Sequence, residues 1–445
     1  MNSDPSPANS TSLPTASLTA TLRRLGGYAF WNAAAFALPL ALDRLVIYPV
    51  LQRHLGKELF GALAWVLGVV YLPSLSAGAG FSNFLMRDLA HQTADGRSRM
   101  LRTTMTAALV IGLLTLAAGA AASFPLAGDL VRQHAWDLYA PLYLFGLAGC
   151  LQWVVLANLR IRREFRRLFM LKVIESVILV TLLWAAPGRN LRVIGTIYAV
   201  SVLIPVVLNI YWSRADIGWG NWWDSSAARC MWAAYPGLVL STLIEVSLAY
   251  APRIALGALR GEGEVTELVA GTAVANVFVM PVSMVGGLVL SLLAGKTTFA
   301  LAGRRGHLYV AASVAVALLT VFVSDIFGRL LLSFLYAEVA PDTLKFYRWI
   351  ALSNGCGAVI VLMRPVGLKY ARVRTVAALS GSSLGLQGVG LAILVPRLGA
   401  AGAAQALLLS SALSMLLWLG CYLRLMRNPP GVAADVGLEE KDSWS

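Results

Sequence analysis

The chain has 445 residues, of which 58% are hydrophobic and only 13% charged; soluble domains carry about 25% charged residues. That excludes a water-soluble globular fold, and apolar runs recurring along the whole length make the bilayer the solvent for most of the chain. The formal net charge of +14 invites a nucleic-acid reading, but the placement of the basic residues assigns them to membrane orientation instead. Cys150, Cys230, Cys356 and Cys421 lie far apart in or beside apolar runs with no CxxC pair, so neither a disulfide framework nor a zinc site is expected.

Residues 1–22 are rich in Ser, Thr, Pro and Ala and read as a disordered tail without the basic start and cleavage site of a secretory signal. Gly26 to Leu51 is long enough to cross a bilayer, which needs roughly 20 apolar residues. It carries Asp43 and Arg44 side by side between Pro39 and Pro49. An ionised group at the bilayer centre costs about 2.5–3.5 kcal/mol on insertion scales, so it faces protein or water rather than lipid. After the polar turn LGKELFG (Leu55 to Gly61), a second span runs from Ala62 to Leu85, with Pro73, Gly78 and Gly80 inside it. Two proline-broken helices around a buried charge predict the wall of an aqueous cavity.

Further spans follow at Thr103 to Phe124, Leu138 to Leu159, Phe169 to Ala186 and Val193 to Trp212. Residues 213–229 form a polar, tryptophan-rich connection that reads as an interfacial linker between halves. Beyond it lie Trp232 to Leu259, with Pro236, Glu245, Pro252 and Arg253, and Val265 to Ala294, with Pro281 and Gly286. Leu308 to Phe327 is the ninth span; Leu330 to Tyr336 either continues it or lies in the interface. Leu344 to Met363, Val373 to Val395 and Ala400 to Leu425 complete twelve. The expected organisation is an amino-terminal six-helix lobe over residues 23–212, a carboxy-terminal lobe over 230–427, and a polar tail over 428–445.

With the amino terminus in the cytoplasm, about two-thirds of the Lys and Arg residues fall in cytoplasmic segments. The densest run is RIRREFRR (Arg160 to Arg167). The positive-inside bias supports twelve spans with both termini cytoplasmic. Six spans per half make the halves parallel repeats about an axis along the membrane normal. Pro73 and Gly78 in span two recur as Pro281 and Gly286 in span eight with the same spacing.

LGKELFG followed by GAGFSNFLMRDLA (Gly78 to Ala90), and LGAAGAAQALLLSSALSMLL (Leu398 to Leu417) near the end, resemble the polysaccharide flippases of the multidrug/oligosaccharidyl-lipid/polysaccharide exporter superfamily. AYAPRIALGALRGEGEV (Ala249 to Val265) stands where such proteins often carry an Asp-Arg pair; this chain has Pro252-Arg253 instead. The resemblance covers roughly residues 23–425. It implies two six-helix bundles forming a V around a central cavity in an all-α protein of the cytoplasmic membrane. It implies as cargo an undecaprenyl-pyrophosphate-linked oligosaccharide unit for surface polysaccharide assembly. The expected partners are that lipid, membrane lipids and other polysaccharide assembly proteins.

Arg44, Arg253 and Arg53 are candidate donors to the diphosphate, which guanidinium groups suit by their forked geometry. Arg87 and Lys296, at the cytoplasmic ends of spans two and eight, are candidates for receiving the head at entry. The alternative is structural: Arg44 paired with Asp43, Arg253 with Glu245 or a loop carboxylate, and Arg87 and Lys296 as orientation anchors. Glu245 and Asp43 are candidate coupling carboxylates for a proton or sodium gradient; Glu245 alternatively fixes helix packing. No cofactor is expected: no GKS or GKT motif follows Gly78-x-Gly80 or Gly261-x-Gly263, and the four histidines lack metal-ligand spacing. The rival readings are a cation-coupled drug antiporter of the same superfamily, favoured by an acidic cavity, and an integral-membrane glycosyltransferase or polymerase. The latter would show catalytic acids in a sizeable outer loop, and no such loop is present.

Overall fold

A computed structural model describes residues 27, 30–31, 34–35, 37–89, 92–186, 190–218, 220–294, 304–370 and 373–427. The two expected tails and Lys296 lie outside the described residues. Among the described residues, eleven helices are long and apolar enough to cross a membrane. The first of them, Ala37–Asp88, spans 52 residues and is broken at Gly56, whose φ of 77° and ψ of 174° suit glycine alone. Divided there, it gives α1 (37–55) and α2 (57–88). The others are α3 (Ala94–Ser123), α4 (Ala135–Ile161), α5 (Phe165–Ala185), α6 (Leu191–Trp212), α7 (Ser225–Arg260) and α8 (Glu262–Ala294). Then come α9 (Arg304–Leu335), α10 (Tyr347–Tyr370), α11 (Val373–Leu398) and α12 (Ala400–Arg427). The twelve-span reading therefore holds, and the segment after Phe327 continues α9 to Leu335 rather than leaving it.

Helix starts follow capping chemistry. Thr93 accepts from the Gly96 N–H, Asn190 from those of Arg192 and Val193, and Asp224 from those of Ser226 and Ala227. The Ser226 hydroxyl together with these N–H groups holds the Asp224 carboxyl below the usual carboxylate range. The linker is fastened to the amino-terminal lobe. Buried Arg102 on α3 donates to the carbonyls of Ile217 (2.6 Å) and Asn221 (3.0 Å), and the Ser98 hydroxyl bonds the Asp216 carbonyl.

Packing shows the repeat directly. In the first bundle α2 lies against α3 and α4, α4 against α3 and α6, and α5 against α6; each pairing recurs six helices later, as α8 with α9 and α10, α10 with α9 and α12, and α11 with α12. The glycine pair seen in the sequence has the same duty in both halves. Gly78 on α2 lets the Cys150 backbone of α4 approach, and Gly286 on α8 does so for the Val361 backbone of α10, the small-residue packing that membrane helices favour.

The two bundles meet where α2 runs antiparallel to α7, and where α1 and α2 meet α8. Gly61 and Gly80 on α2 and Gly257 on α7 line that seam, each leaving room only for the opposing helix. Trp65 fills the space over Gly257 and its indole N–H donates to the Ile254 carbonyl at 3.0 Å. Phe81 stacks on Tyr235 with centroids 4.1 Å apart. α2 is largely buried, whereas α3, α5, α9 and α11 show most of their apolar surface outward, as lipid-facing helices do.

Candidate functional site

The middle of the seam holds the charges singled out in the sequence. In α1 the turn Asp43–Ile47 is π-helical, and the Tyr48 N–H reaches back five residues to the Asp43 carbonyl. The next N–H in that pattern would belong to residue 49, but Pro49 has none, so the Arg44 carbonyl needs another donor. It finds one across the seam: the Tyr336 hydroxyl, beyond the end of α9, donates to it at 2.9 Å. A single missing N–H thus ties the charged turn of one bundle to the other, and π turns of this kind recur at functional sites.

Arg44 is 7% exposed. Its Nε stands 3.9 Å from Asp43 Oδ2, too far for a hydrogen bond. Nε and Nη1 are both buried with no hydrogen-bond partner among the described residues. The guanidinium lies over the Tyr48 ring, 4.9 Å from its centroid. Arg253, on α7 and 5% exposed, lies over the Tyr250 ring at 5.3 Å, and Tyr250 in turn stacks on Tyr71 of α2. The Asp43 carboxylate lies within electrostatic reach of both guanidinium groups. Two cations therefore face one anion in a buried place, with aromatic faces lending part of the missing stabilisation. An unsatisfied buried donor costs about 1–3 kcal/mol, more when charged, so the arrangement is one that an anion would complete.

The other candidates are dispersed. Arg53 is exposed near the Gly56 end and donates to the Phe334 carbonyl at 3.0 Å and that of Leu335 at 3.4 Å, capping α9. Arg87 sits at the far end of α2, bonded to Asp88 at 2.9 Å. Glu245 does not meet Arg253; it pairs with Arg364 of α10 inside the second bundle.

Two polar pockets, one per bundle, were not foreseen as such. The first, about 190 Å³, is lined by Asp43, Lys172, Glu175, Tyr198 and Ser201 among others. Lys172 Nζ donates to Glu175 (2.8 Å) and Gln152 (2.9 Å), and Gln152 donates to Glu175 at 2.6 Å, so these three satisfy one another. The second, about 130 Å³, contains Glu245, Arg364, Gln387 and a set of serines. α1, α5 and α6 contribute to the first pocket and α7, α11 and α12 to the second, so the two occupy equivalent places in the repeat. The sequence signal was the spacing of Ser380, Ser383, Ser410, Ser411 and Ser414 on two neighbouring helices, but only packing shows that they converge.

Hydrogen bonds joining the bundles gather at the Gly56 end. Lys57 Nζ bonds Glu267 at 2.6 Å, Gln52 Nε2 bonds Glu338 at 2.5 Å, and the Thr266 hydroxyl donates to the Lys57 carbonyl at 2.5 Å. That end is closed.

No protein-family model matches the chain, and no curated protein does. Among solved structures it is similar to a multidrug resistance MATE family transporter of the MOP superfamily in its inward-facing conformation, with TM-score 0.68, 13% identity, and coverage of 90% of this chain and 100% of that one. The outward-facing conformation of a MATE family transporter of that superfamily gives TM-score 0.63 at 12% identity, covering 90% and 97%. The lipid II flippase MurJ, inward closed, gives TM-score 0.67 at 10% identity, covering 91% and 90%. The chain thus shares the fold of these solved structures, membrane helices in two bundles, as the resemblance read from the sequence implied.

Proposed function

We propose that this multi-pass membrane protein moves an anionic lipid head, a diphosphate bearing a saccharide, across the cell membrane by alternating access. The observation that carries the reading is the pair Arg44 and Arg253, buried at the seam of the bundles with guanidinium N–H groups of Arg44 left unpartnered. Arginine matches phosphate oxygens in a bidentate way that a point charge does not. The resemblance of fold to a protein whose name is lipid II flippase supports a lipid-linked cargo.

The Lys and Arg distribution puts the Gly56 end outside, both termini in the cytoplasm and the closed contacts of Lys57, Gln52 and Tyr336 on the outer face. On this reading the closed face is the outer one, in keeping with a TM-score of 0.68 to the inward-facing structure against 0.63 to the outward-facing one. The saccharide travels through the wet interior while the lipid tail stays in the bilayer, and rocking of one bundle on the other exchanges the openings. Of the two carboxylates read as coupling candidates, Asp43 lies beside the arginines proposed to hold the cargo, whereas Glu245 is engaged by Arg364. A drug/cation antiporter would need the site to carry net negative charge, whereas two arginines outweigh Asp43. Arg53 and Arg87 serve helix capping and orientation on this reading, and the place of the protein is surface polysaccharide assembly.

The test is a proteoliposome assay with purified protein, offering a polyprenyl-diphosphate-linked saccharide and, separately, a lipophilic fluorescent cation. Movement of the diphosphate lipid is expected. Movement of the cation alone would transfer the assignment to the antiporter class.

A further inference from the structure

The pocket of the second bundle has no part in holding a diphosphate, yet it is built. It is lined by Glu245 of α7, Arg364 of α10, Ser383 and Gln387 of α11, and Ser414 and Trp418 of α12, with further serines at its edge. Gln387 is 1% exposed; its Nε2 donates to the Leu248 carbonyl at 2.9 Å, and its Oε1 is buried with no partner among the described residues. The hydroxyls of Ser383 and Ser410 donate to carbonyls of their own helices, Leu379 and Leu407, each at 2.9 Å. A serine hydroxyl has one donor and two acceptor sites, so these side chains turn acceptors, not donors, towards the space. One donor there is unmet: Arg364 Nε, buried and without a partner among the described residues, while its Nη2 holds Glu245.

That inventory selects the ligand. A metal cation would satisfy the acceptors but would meet Arg364 and leave its Nε without an acceptor. An anion would be repelled by Glu245 and the serine oxygens. A polyol satisfies both demands, since each hydroxyl donates to one partner and accepts from another. Trp418, 3% exposed, adds an apolar wall of the kind that lines small-molecule sites. We infer that this pocket is the saccharide subsite of the carrier, taking the uncharged sugar ring of the cargo while Arg44 and Arg253 hold its diphosphate. The inference rests on the diphosphate-carrier reading for its placement. Glu245 precedes Arg253 by eight residues on α7, roughly 12 Å at 1.5 Å per residue, the reach of a short saccharide, and lies on the side towards the amino-terminal end, where the glycan enters.

Binding is measured by calorimetry on the full-length protein in detergent with two probes: farnesyl diphosphate, and farnesyl diphosphate carrying a short hexose oligosaccharide. The saccharide is expected to improve affinity about tenfold, the scale of one or two neutral hydrogen bonds. Gln387→Leu and the double variant Ser383→Ala/Ser410→Ala are expected to abolish that gain while leaving the affinity for farnesyl diphosphate within twofold. A thermal-shift check on both variants shows that they are folded. A gain retained in both folded variants, or no gain in the native protein, overturns the inference. So does sodium binding that Glu245→Gln removes, which marks a cation site instead. If farnesyl diphosphate itself fails to bind but free hexose still quenches a tryptophan signal absent in Trp418→Phe, the diphosphate reading falls and the sugar subsite stands.

Discussion

Replacing Arg44 by methionine separates a binding role from a structural one, because the two predict changes of different kinds. Arg44→Met keeps an unbranched apolar stem at this position and removes the cation. On the binding reading, loss of one charged hydrogen bond to the diphosphate costs about 1.5–3 kcal/mol, a rise in Kd of roughly 10- to 150-fold. Stability should barely move. The substitution takes away two buried nitrogens without partners, Nε and Nη1, relieving a cost of about 1–3 kcal/mol. Against this, Asp43 loses a neighbour at 3.9 Å, though Arg253 remains within electrostatic reach. The hydrogen bond from Tyr336 goes to the Arg44 backbone and is untouched. The assay is farnesyl diphosphate calorimetry alongside a detergent thermal melt. A midpoint within about 3 °C of native and a Kd raised at least tenfold are expected. A Kd within twofold of native in a folded protein refutes the role, and a collapse of the midpoint reassigns Arg44 to the fold.

Two further predictions concern the closed Gly56 end. A Cβ at Gly61 would run into the Glu262 carbonyl and the Thr266 hydroxyl, and overpacking of this kind costs about 1–3 kcal/mol. Gly61→Val should therefore raise the alkylation rate of a reporter cysteine at Gln52, and an unchanged rate would show that the contact does not hold the end shut. Asp342 and Lys345 flank Lys57 there: the Lys345 hydrogen bond (2.7 Å) holds the Asp342 carboxyl below its usual range, and Asp342 holds the Lys345 ammonium above its own. The depressed carboxylate loses its contribution only as pH falls below the ordinary range near 4, and the raised ammonium only above about 10. The alkylation rate divided by that of the same cysteine in unfolded protein, which removes the reporter thiol's own titration, should then be flat between about pH 5 and 9, and a titration midpoint inside that window refutes the pair's part in closure.

Much of this protein is written in its residue order. Lipid solvates every outward face and offers no hydrogen bonds, so each crossing must be an apolar helix of sufficient length, and such helices are countable from sequence. The Pro73/Gly78 and Pro281/Gly286 pairs exposed the repeat because close helix packing leaves no freedom for a side chain at Gly78 or Gly286. The intramembrane charges Arg44 and Arg253 stood out because an ion in hydrocarbon is costly. Their surroundings did not. Glu245 lies nearer to Arg253 than to Arg364 along the chain, yet bonds the latter, because rotation about α7 sets which neighbour each side chain meets. Arg53, a third candidate beside Arg44 and Arg253 in the sequence, caps α9 because it sits at the exposed Gly56 end. Tyr336 and the converging serines of α11 and α12 were invisible singly. Periodicity fixes where a side chain sits on its own helix, but which helices face each other, and how the Arg44 carbonyl left without a donor by Pro49 is answered from another bundle, is settled only when all twelve pack.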